Sequence, residues 1–185
     1  MPDKVLKVLC VHGLGDHRGS DWEAAWTRAV ADAFPAPPGV TLDFIFVTYD
    51  DIFANTRLSL WECIAAVAKL AASGVTSVFR RQRGVTGDIS ERLRWTAGYV
   101  VAWVEDEAFR RRSRARVLEA VATHSPDIIL AHSLGSLVTY NAFSHPDARA
   151  PAVAEALKQA TYVTFGSQIN NPFVLKNLTN GRIQR

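Results

Sequence analysis

The chain has 185 residues, a formal net charge of +3 and 48% apolar side chains. This length predicts a single domain, and so small a net charge does not indicate nucleic-acid binding. The composition is that of a soluble globular protein, which excludes a disordered chain, a collagen-like repeat and a disulfide-bonded mini-protein. The two cysteines, Cys10 and Cys63, lie in apolar runs and are expected to be buried free thiols.

No targeting or membrane-spanning segment is predicted. The first apolar run, residues 5–11, contains Lys7 and is too short for the apolar core of a signal peptide. The longest apolar stretch, residues 58–79, contains Glu62 and Lys69, which makes it a weak candidate for a membrane span. We therefore expect a cytoplasmic protein.

Apolar runs alternate with amphipathic segments along the chain. Strands are predicted at residues 5–11, 40–49, 128–132 and 162–165, and helices at residues 22–34, 108–123, 134–143 and 153–159. Residues 51–107 are mostly helical by periodicity but less regular. This alternation predicts an α/β fold, a doubly wound and mostly parallel sheet with flanking helices.

The segment Ala131-His132-Ser133-Leu134-Gly135 directly follows a predicted strand and directly precedes a predicted helix. This context fits a small-x-Ser-x-Gly elbow, in which the serine occupies a strained turn and small residues let strand and helix pack closely. Such a turn exposes the Ser133 hydroxyl above the sheet. The N–H of Leu134 then lies at a helix N-terminus, where it can donate to a developing oxyanion.

A second glycine-containing segment, His12-Gly13-Leu14-Gly15, follows the first predicted strand. Sites in doubly wound sheets form beyond the carboxyl ends of the strands, so this segment is expected beside the elbow. The N–H of Leu14 is the predicted second oxyanion donor. The residues expected to line the site are His12, Gly13, Gly15, His132 and Gly135.

Together the two segments resemble the α/β-hydrolase superfamily, specifically its lipase- and esterase-like members. Phe165-Gly166-Ser167 is similar to the Phe-Gly-Ser-Pro of lipase-like members, with Gln168 in place of the proline. The resemblance covers residues 5–50 and 115–170, and residues 51–107 loosely resemble a helical cap inserted over the site.

The resemblance implies a serine hydrolase that cleaves carboxylic esters or lipids through an acyl-enzyme. Ser133 would be the nucleophile, and the backbone N–H groups of Leu14 and Leu134 would form the oxyanion hole. No cofactor or metal is expected, because the sequence contains neither metal-ligand spacing nor a phosphate-binding loop.

The acid and the histidine of a catalytic triad cannot be assigned from the sequence. In this superfamily both follow the serine, yet only His145, Asp147 and Glu155 do so here. His145 follows the helix that leaves the elbow, roughly 15 Å from Ser133 at 1.5 Å per residue, which excludes it as the base.

The other histidines are weaker candidates. His12 is expected to be a structural part of the His-Gly turn, and His124 a solvated residue at a helix end. His132 is expected to point to the opposite face, because neighbouring strand residues alternate. His17, beside Asp16 in the loop after Gly13, is a possible substitute base.

Two classes of function stay open. One is ester hydrolysis at Ser133. The other is a truncated or degenerate hydrolase-fold protein that acts as a binding or scaffold protein, or that needs another chain to supply the missing strands. The chain stops at Arg185 before the strands that would carry the acid and histidine, so an unpaired sheet edge and self-association are expected.

Two further patterns have alternative interpretations. Residues 80–116 contain ten arginines and five acidic residues, which could contact an anionic membrane surface or an acidic partner. A solvated helix face, including five outward arginines in residues 108–123, is the simpler interpretation. Four aromatic residues could line an acyl pocket or, as is more usual at helical spacing, pack in the core: Trp61, Trp95, Tyr99 and Trp103.

Overall fold

The structure is a computed structural model that describes residues 4–13, 21–54, 99–167, 169, 174–175 and 178. Four strands and five helices are bounded within these residues, together with a 3-10 turn. They are β1 (Lys4–Val11), α1 (Trp22–Ala33), β2 (Val40–Val47), α2 (Asp50–Ala54), α3 (Glu107–His124), β3 (Ile128–His132), α4 (Leu134–Ser144), the turn Pro146–Arg149, α5 (Pro151–Gln159) and β4 (Thr161–Phe165). Residues 99–105 are also helical.

The four strands form one parallel sheet in the order β2-β1-β3-β4. The α/β class and the parallel sheet predicted from the sequence are therefore confirmed. Strand β1 lies in the interior of this sheet and is buried without interruption from Val8 to Val11. Such a strand has to be apolar on both faces, which is why it gives a continuous run of apolar residues rather than an alternating pattern.

One face of the sheet carries the main hydrophobic core. Leu9 and Val11 of β1 and Ile129 and Ala131 of β3 form a cluster there with buried residues of α3 and α4. The core residues predicted for α3, which are Val117, Leu118 and Val121, belong to this cluster.

The opposite face of the sheet is covered by α1. Trp22 contacts Phe46 at a ring-centroid distance of 5.0 Å, and Trp26 contacts Phe165 at 5.5 Å. No residue of α1 is fully buried. The two faces of the sheet therefore differ in how completely they are covered.

The prediction that all five arginines of α3 face solvent is wrong for Arg114, which is only 4% exposed. Its Nε donates to the Asp147 carboxylate at 3.2 Å, and Nη1 donates to Asn141 Oδ1 at 3.3 Å. Since α3 packs against both α4 and α5, this side of the helix is buried as well. The long side chain of Arg114 connects α3 to α4 and to the turn Pro146–Arg149.

Most of the predicted helical insertion lies outside the described residues, including Trp61 and Trp95. At its C-terminal end, Trp103 is fully buried and its indole Nε1 donates to Ser113 Oγ at 2.9 Å. Tyr99 packs against the same core. For Trp103, the interpretation as a core residue is confirmed.

Strand β4 forms an edge of the sheet within the described part of the chain. Its residues Val163 and Phe165 are 42% and 41% exposed. Self-association through this edge stays a prediction, which light scattering of the purified protein can check. None of the helices found in the described ranges is long and apolar enough to cross a membrane.

Candidate functional site

Ser133 occupies the turn between β3 and α4 with φ 51° and ψ −120°. A positive φ is uncommon for a residue with a Cβ, and backbone in such sparsely populated regions costs about 1–3 kcal/mol. Strain of this kind clusters at active sites, where the surrounding structure holds it in place. The strained turn predicted from the small-x-Ser-x-Gly pattern is present.

Both main-chain polar groups of Ser133 are hydrogen-bonded. Its N–H donates to the Phe165 carbonyl at the end of β4, at 3.0 Å. Its carbonyl accepts from the N–H of Ser136 at 3.0 Å and from the Ser136 hydroxyl at 2.5 Å. The strained residue is therefore anchored to the neighbouring strand on one side and to the first turn of α4 on the other.

The His-Gly segment lies directly against this turn. A Cβ added to Gly135 would lie 2.4 Å from the carbonyl oxygen of His12 and 2.5 Å from that of Val11. A Cβ added to Gly13 would lie 2.9 Å from Cβ of Ser133. Only glycine permits so close an approach at these two positions. The structure thus brings together the two segments that the sequence placed at one edge of the sheet.

Of the two predicted oxyanion donors, one can be located. Leu134 is the first residue of α4, so its N–H has no carbonyl acceptor four residues back within the helix. The helix N-terminus also carries a partial positive charge, which favours an anion. Leu14 and Gly15 lie outside the described residues.

His12 is buried within its own turn. Its Nδ1 lies 2.5 Å from the carbonyl oxygen of Gly13, and because a carbonyl only accepts, Nδ1 carries the hydrogen. Its Nε2 lies 3.5 Å from the Asp50 carboxylate, and its ring stacks on Tyr49 at 4.4 Å. The Tyr49 hydroxyl donates to the His12 carbonyl. These contacts agree with the structural role expected for His12.

His132 packs on the α1 side of the sheet, as expected from strand alternation. Its ring stacks on Phe165 at 5.0 Å and meets Trp26 at 6.2 Å. Its Nδ1 also lies 3.1 Å from the position that a Cβ on Gly13 would occupy. The imidazole therefore lies against the His-Gly turn, and any side chain on Gly13 would contact it.

His145 and Asp147 lie at the other end of α4. His145 follows the last residue of this 11-residue helix, and its Nδ1 accepts from the N–H of Asp147 at 3.2 Å. The Asp147 carboxylate is bound to Arg114. The exclusion of His145 as a base for Ser133 is therefore supported by its position, and Glu155 is paired with Lys158 on α5.

A groove of about 670 Å³ lies at this same far end of α4. It lies beside α4, the turn Pro146–Arg149, α5 and β4, with Tyr140, Phe143, His145 and Tyr162 among its lining residues. Because these side chains are not at the elbow, the groove is separate from the Ser133 site.

The described ranges show no hydrogen bond from the Ser133 hydroxyl, which belongs to a half-buried residue. His17 lies outside those ranges. The same ranges contain no group of three or more His, Cys, Asp or Glu side chains that could hold a metal ion. Burial raises the pKa of the Cys10 thiol to about 12, so this cysteine is not a competing nucleophile.

Sequence reasoning missed the contacts of four residues that shape the site. Tyr49 and Asp50 contact His12, and Ser136 bonds the Ser133 carbonyl. Ser167, which the sequence singled out only within Phe165-Gly166-Ser167, bonds Ser136. Ser136 directly follows the elbow pentapeptide, and this adjacency was the one available signal for it.

Comparison with known proteins identified no relative: no family model, no curated protein and no solved structure matches this chain. The functional conclusion therefore depends on the residues themselves.

Proposed function

We propose that this protein is a serine hydrolase of carboxylic esters, with lipids as one class of substrate, and that Ser133 is its nucleophile. The observation that carries the proposal is the conformation of Ser133, a strained strand-to-helix turn with its backbone anchored on both sides. In nucleophile elbows of α/β-hydrolases, such strain exposes the serine hydroxyl at the end of the sheet.

The reaction would proceed in two steps. Ser133 Oγ attacks the ester carbonyl carbon, its proton passes to a base, and the negative charge develops on the carbonyl oxygen. Collapse of this intermediate breaks the bond to the alcohol, which leaves with the proton and yields an acyl-enzyme. Water then hydrolyses the acyl-enzyme and regenerates the hydroxyl.

The backbone would stabilise the oxyanion. The N–H of Leu134, at the N-terminus of α4, is one donor, and the N–H of Leu14 is the other that we assign. Removal of one such donor typically costs about 10²–10³ in rate. Contact between Gly13 and Ser133 supports this assignment, because Leu14 follows Gly13 directly.

The base that accepts the Ser133 proton has two candidate sources. Within this chain the candidate is His17, with Asp16 beside it, because it follows the His-Gly turn by only a few residues. A second chain could also supply it. A serine without a base keeps only about 10³–10⁴-fold acceleration over water, from the oxyanion hole and binding.

The second candidate function is a hydrolase-fold binding or scaffold protein without catalysis. The observation that favours it is that no described histidine is hydrogen-bonded to the Ser133 hydroxyl. A serine hydroxyl that lacks an activating base is a weak nucleophile.

Covalent labelling with a fluorophosphonate, followed by intact-mass measurement, separates the two. The proposal expects one adduct per chain, lost in Ser133→Ala and retained in Ser144→Ala, which removes a hydroxyl from the far end of α4. A folded wild-type chain that stays unlabelled would overturn the hydrolase proposal in favour of the binding protein.

The base is tested in the same assay. If His17 is the base, labelling of His17→Gln is slowed by orders of magnitude, while His145→Gln behaves as wild type. Equal labelling of both variants would move the search for the base to a second chain.

A further inference from the structure

A chain of hydrogen bonds connects the loop after β4 to the elbow. The Ser136 hydroxyl lies 2.5 Å from the Ser133 carbonyl oxygen and 2.8 Å from the Ser167 hydroxyl. The N–H of Ile169 donates to Ser167 Oγ at 3.2 Å. Four residues from two parts of the chain are thus linked in one line.

The direction of this chain follows from its donors and acceptors. A carbonyl oxygen only accepts, so the Ser136 hydroxyl donates its single hydrogen to Ser133. The Ser136 oxygen must then accept from the Ser167 hydroxyl, whose own oxygen accepts from the N–H of Ile169. Each of the two serine hydroxyls is both donor and acceptor, so removal of either one interrupts the chain of hydrogen bonds at that residue.

The link acts where the elbow needs support. Ser136 is fully buried, and a hydrogen bond shielded from water is stronger than an exposed one. The end of β4 already accepts the Ser133 N–H through Phe165. With the Ser136–Ser167 link, the β4 end of the structure restrains both the N–H and the C=O of the strained residue.

We propose that Ser136 and Ser167 are positioning residues for Ser133. They fix the carbonyl of the elbow, and hence the direction in which the Ser133 side chain projects, without touching the substrate. This role rests on the proposed function. Reaction rates depend steeply on such placement, since a displacement of 1 Å can cost about 10²-fold.

The test measures the kinetics of fluorophosphonate labelling at Ser133 in purified full-length variants. Ser136→Ala and Ser167→Ala are each expected to label about tenfold more slowly, the equivalent of one shielded hydrogen bond. Each variant should have a lower maximal labelling rate and an unchanged half-saturating concentration of the fluorophosphonate. The double variant should be no slower than either single one, because the two hydroxyls act as one unit.

Two controls separate positioning from general structure. Ser144→Ala removes a hydroxyl that bonds the Tyr140 carbonyl on the same helix, as Ser136 does to Ser133, but far from the elbow. It should label at the wild-type rate. Ser167→Thr keeps a hydroxyl at a half-buried position and should restore most of the rate lost in Ser167→Ala.

The outcomes are distinct. A labelled wild type with Ser167→Ala at the same rate, or with losses that multiply in the double variant, overturns the positioning role alone. An unlabelled wild type overturns the proposed function, and the positioning role with it. If Ser136→Ala does not fold, the pair Ser167→Ala and Ser167→Thr decides the question.

Discussion

The backbone of Gly135 lies so close to His12 that a Cβ at position 135 would stand 2.4 Å from the His12 carbonyl oxygen. The neighbouring atom belongs to the backbone directly after β1, which cannot move aside as a flexible side chain can. The absence of a side chain at residue 135 therefore allows the first turn of α4 to lie as close to the His-Gly turn as it does.

Gly135→Ala should consequently lower the free energy of unfolding by about 2–3 kcal/mol, the upper part of the range for a forced overpacking. Gly166→Ala is the matched control, since Gly166 has φ +61° but its Cβ would meet the His132 ring only at 3.4 Å. Its cost should be about 1 kcal/mol, from the left-handed backbone alone. Urea unfolding of both variants checks this, and equal losses would contradict the contact.

Ser133→Gly should be more stable than Ser133→Ala by about 1 kcal/mol, because glycine adopts φ 51° without the strain that a Cβ causes. In thermal unfolding this corresponds to about 2–4 °C. Glu119 is exposed in the middle of α3 and serves as the control. There the order of stability should be reversed, with Glu119→Gly less stable than Glu119→Ala. The same sign at both positions would mean that the elbow is not strained.

Arg114→Ala should lower the free energy of unfolding by about 2 kcal/mol, through loss of a buried guanidinium bonded to Asp147 and Asn141. The cost stays below that of a fully buried ion pair because the Asp147 side chain is 57% exposed and can be solvated. Arg112→Ala, at an exposed position of the same helix, should change stability by less than about 0.5 kcal/mol. The urea midpoints of the two variants, each compared with that of wild type, test this prediction.

Acid should weaken the contact between α2 and α3. Hydrogen bonds from the Arg116 guanidinium, at 3.0 Å to each carboxylate oxygen, hold the pKa of Asp51 below its usual value of 3.8. A folded-state pKa below the unfolded one contributes stability above the unfolded pKa, and that contribution is lost as pH falls through the folded pKa.

Between pH 5 and pH 3, the urea midpoint of wild type should therefore fall further than that of Asp51→Asn. Asp32→Asn removes a charge from an exposed position of α1 and should follow wild type. If Asp51→Asn and wild type fall in parallel, the ion pair with Arg116 contributes nothing to stability in solution.

The fold class could be predicted because buried strands and helices have recognisable patterns of apolar residues in the local sequence. The run from Val8 to Val11 is apolar at every position, and the helices around it carry periodic apolar residues. The predicted end of β2 was two residues too long, since Tyr49 is apolar enough to extend a strand pattern. Its burial comes instead from the stacking contact with His12.

The site was predictable only where its residues are adjacent in sequence. Ser133 and its glycine neighbours form a local pattern, and the structure shows the backbone contacts that require it. Ser136 and Ser167 are 31 residues apart, and no pattern relates them before the fold brings them together. Arg114 was misassigned for a similar reason, because an arginine amid arginines gives no sign that one of them faces another helix.

The unequal covering of the sheet has a dynamic consequence. Amides are protected against hydrogen exchange according to the free energy of the opening that exposes them, and helices with few buried contacts open most readily. Because α1 contributes no fully buried residue, we expect it to separate from the sheet more readily than α3 and α4 do. Trp26 rests on His132 and Phe165, so each such opening uncovers the flank of the Ser133 turn.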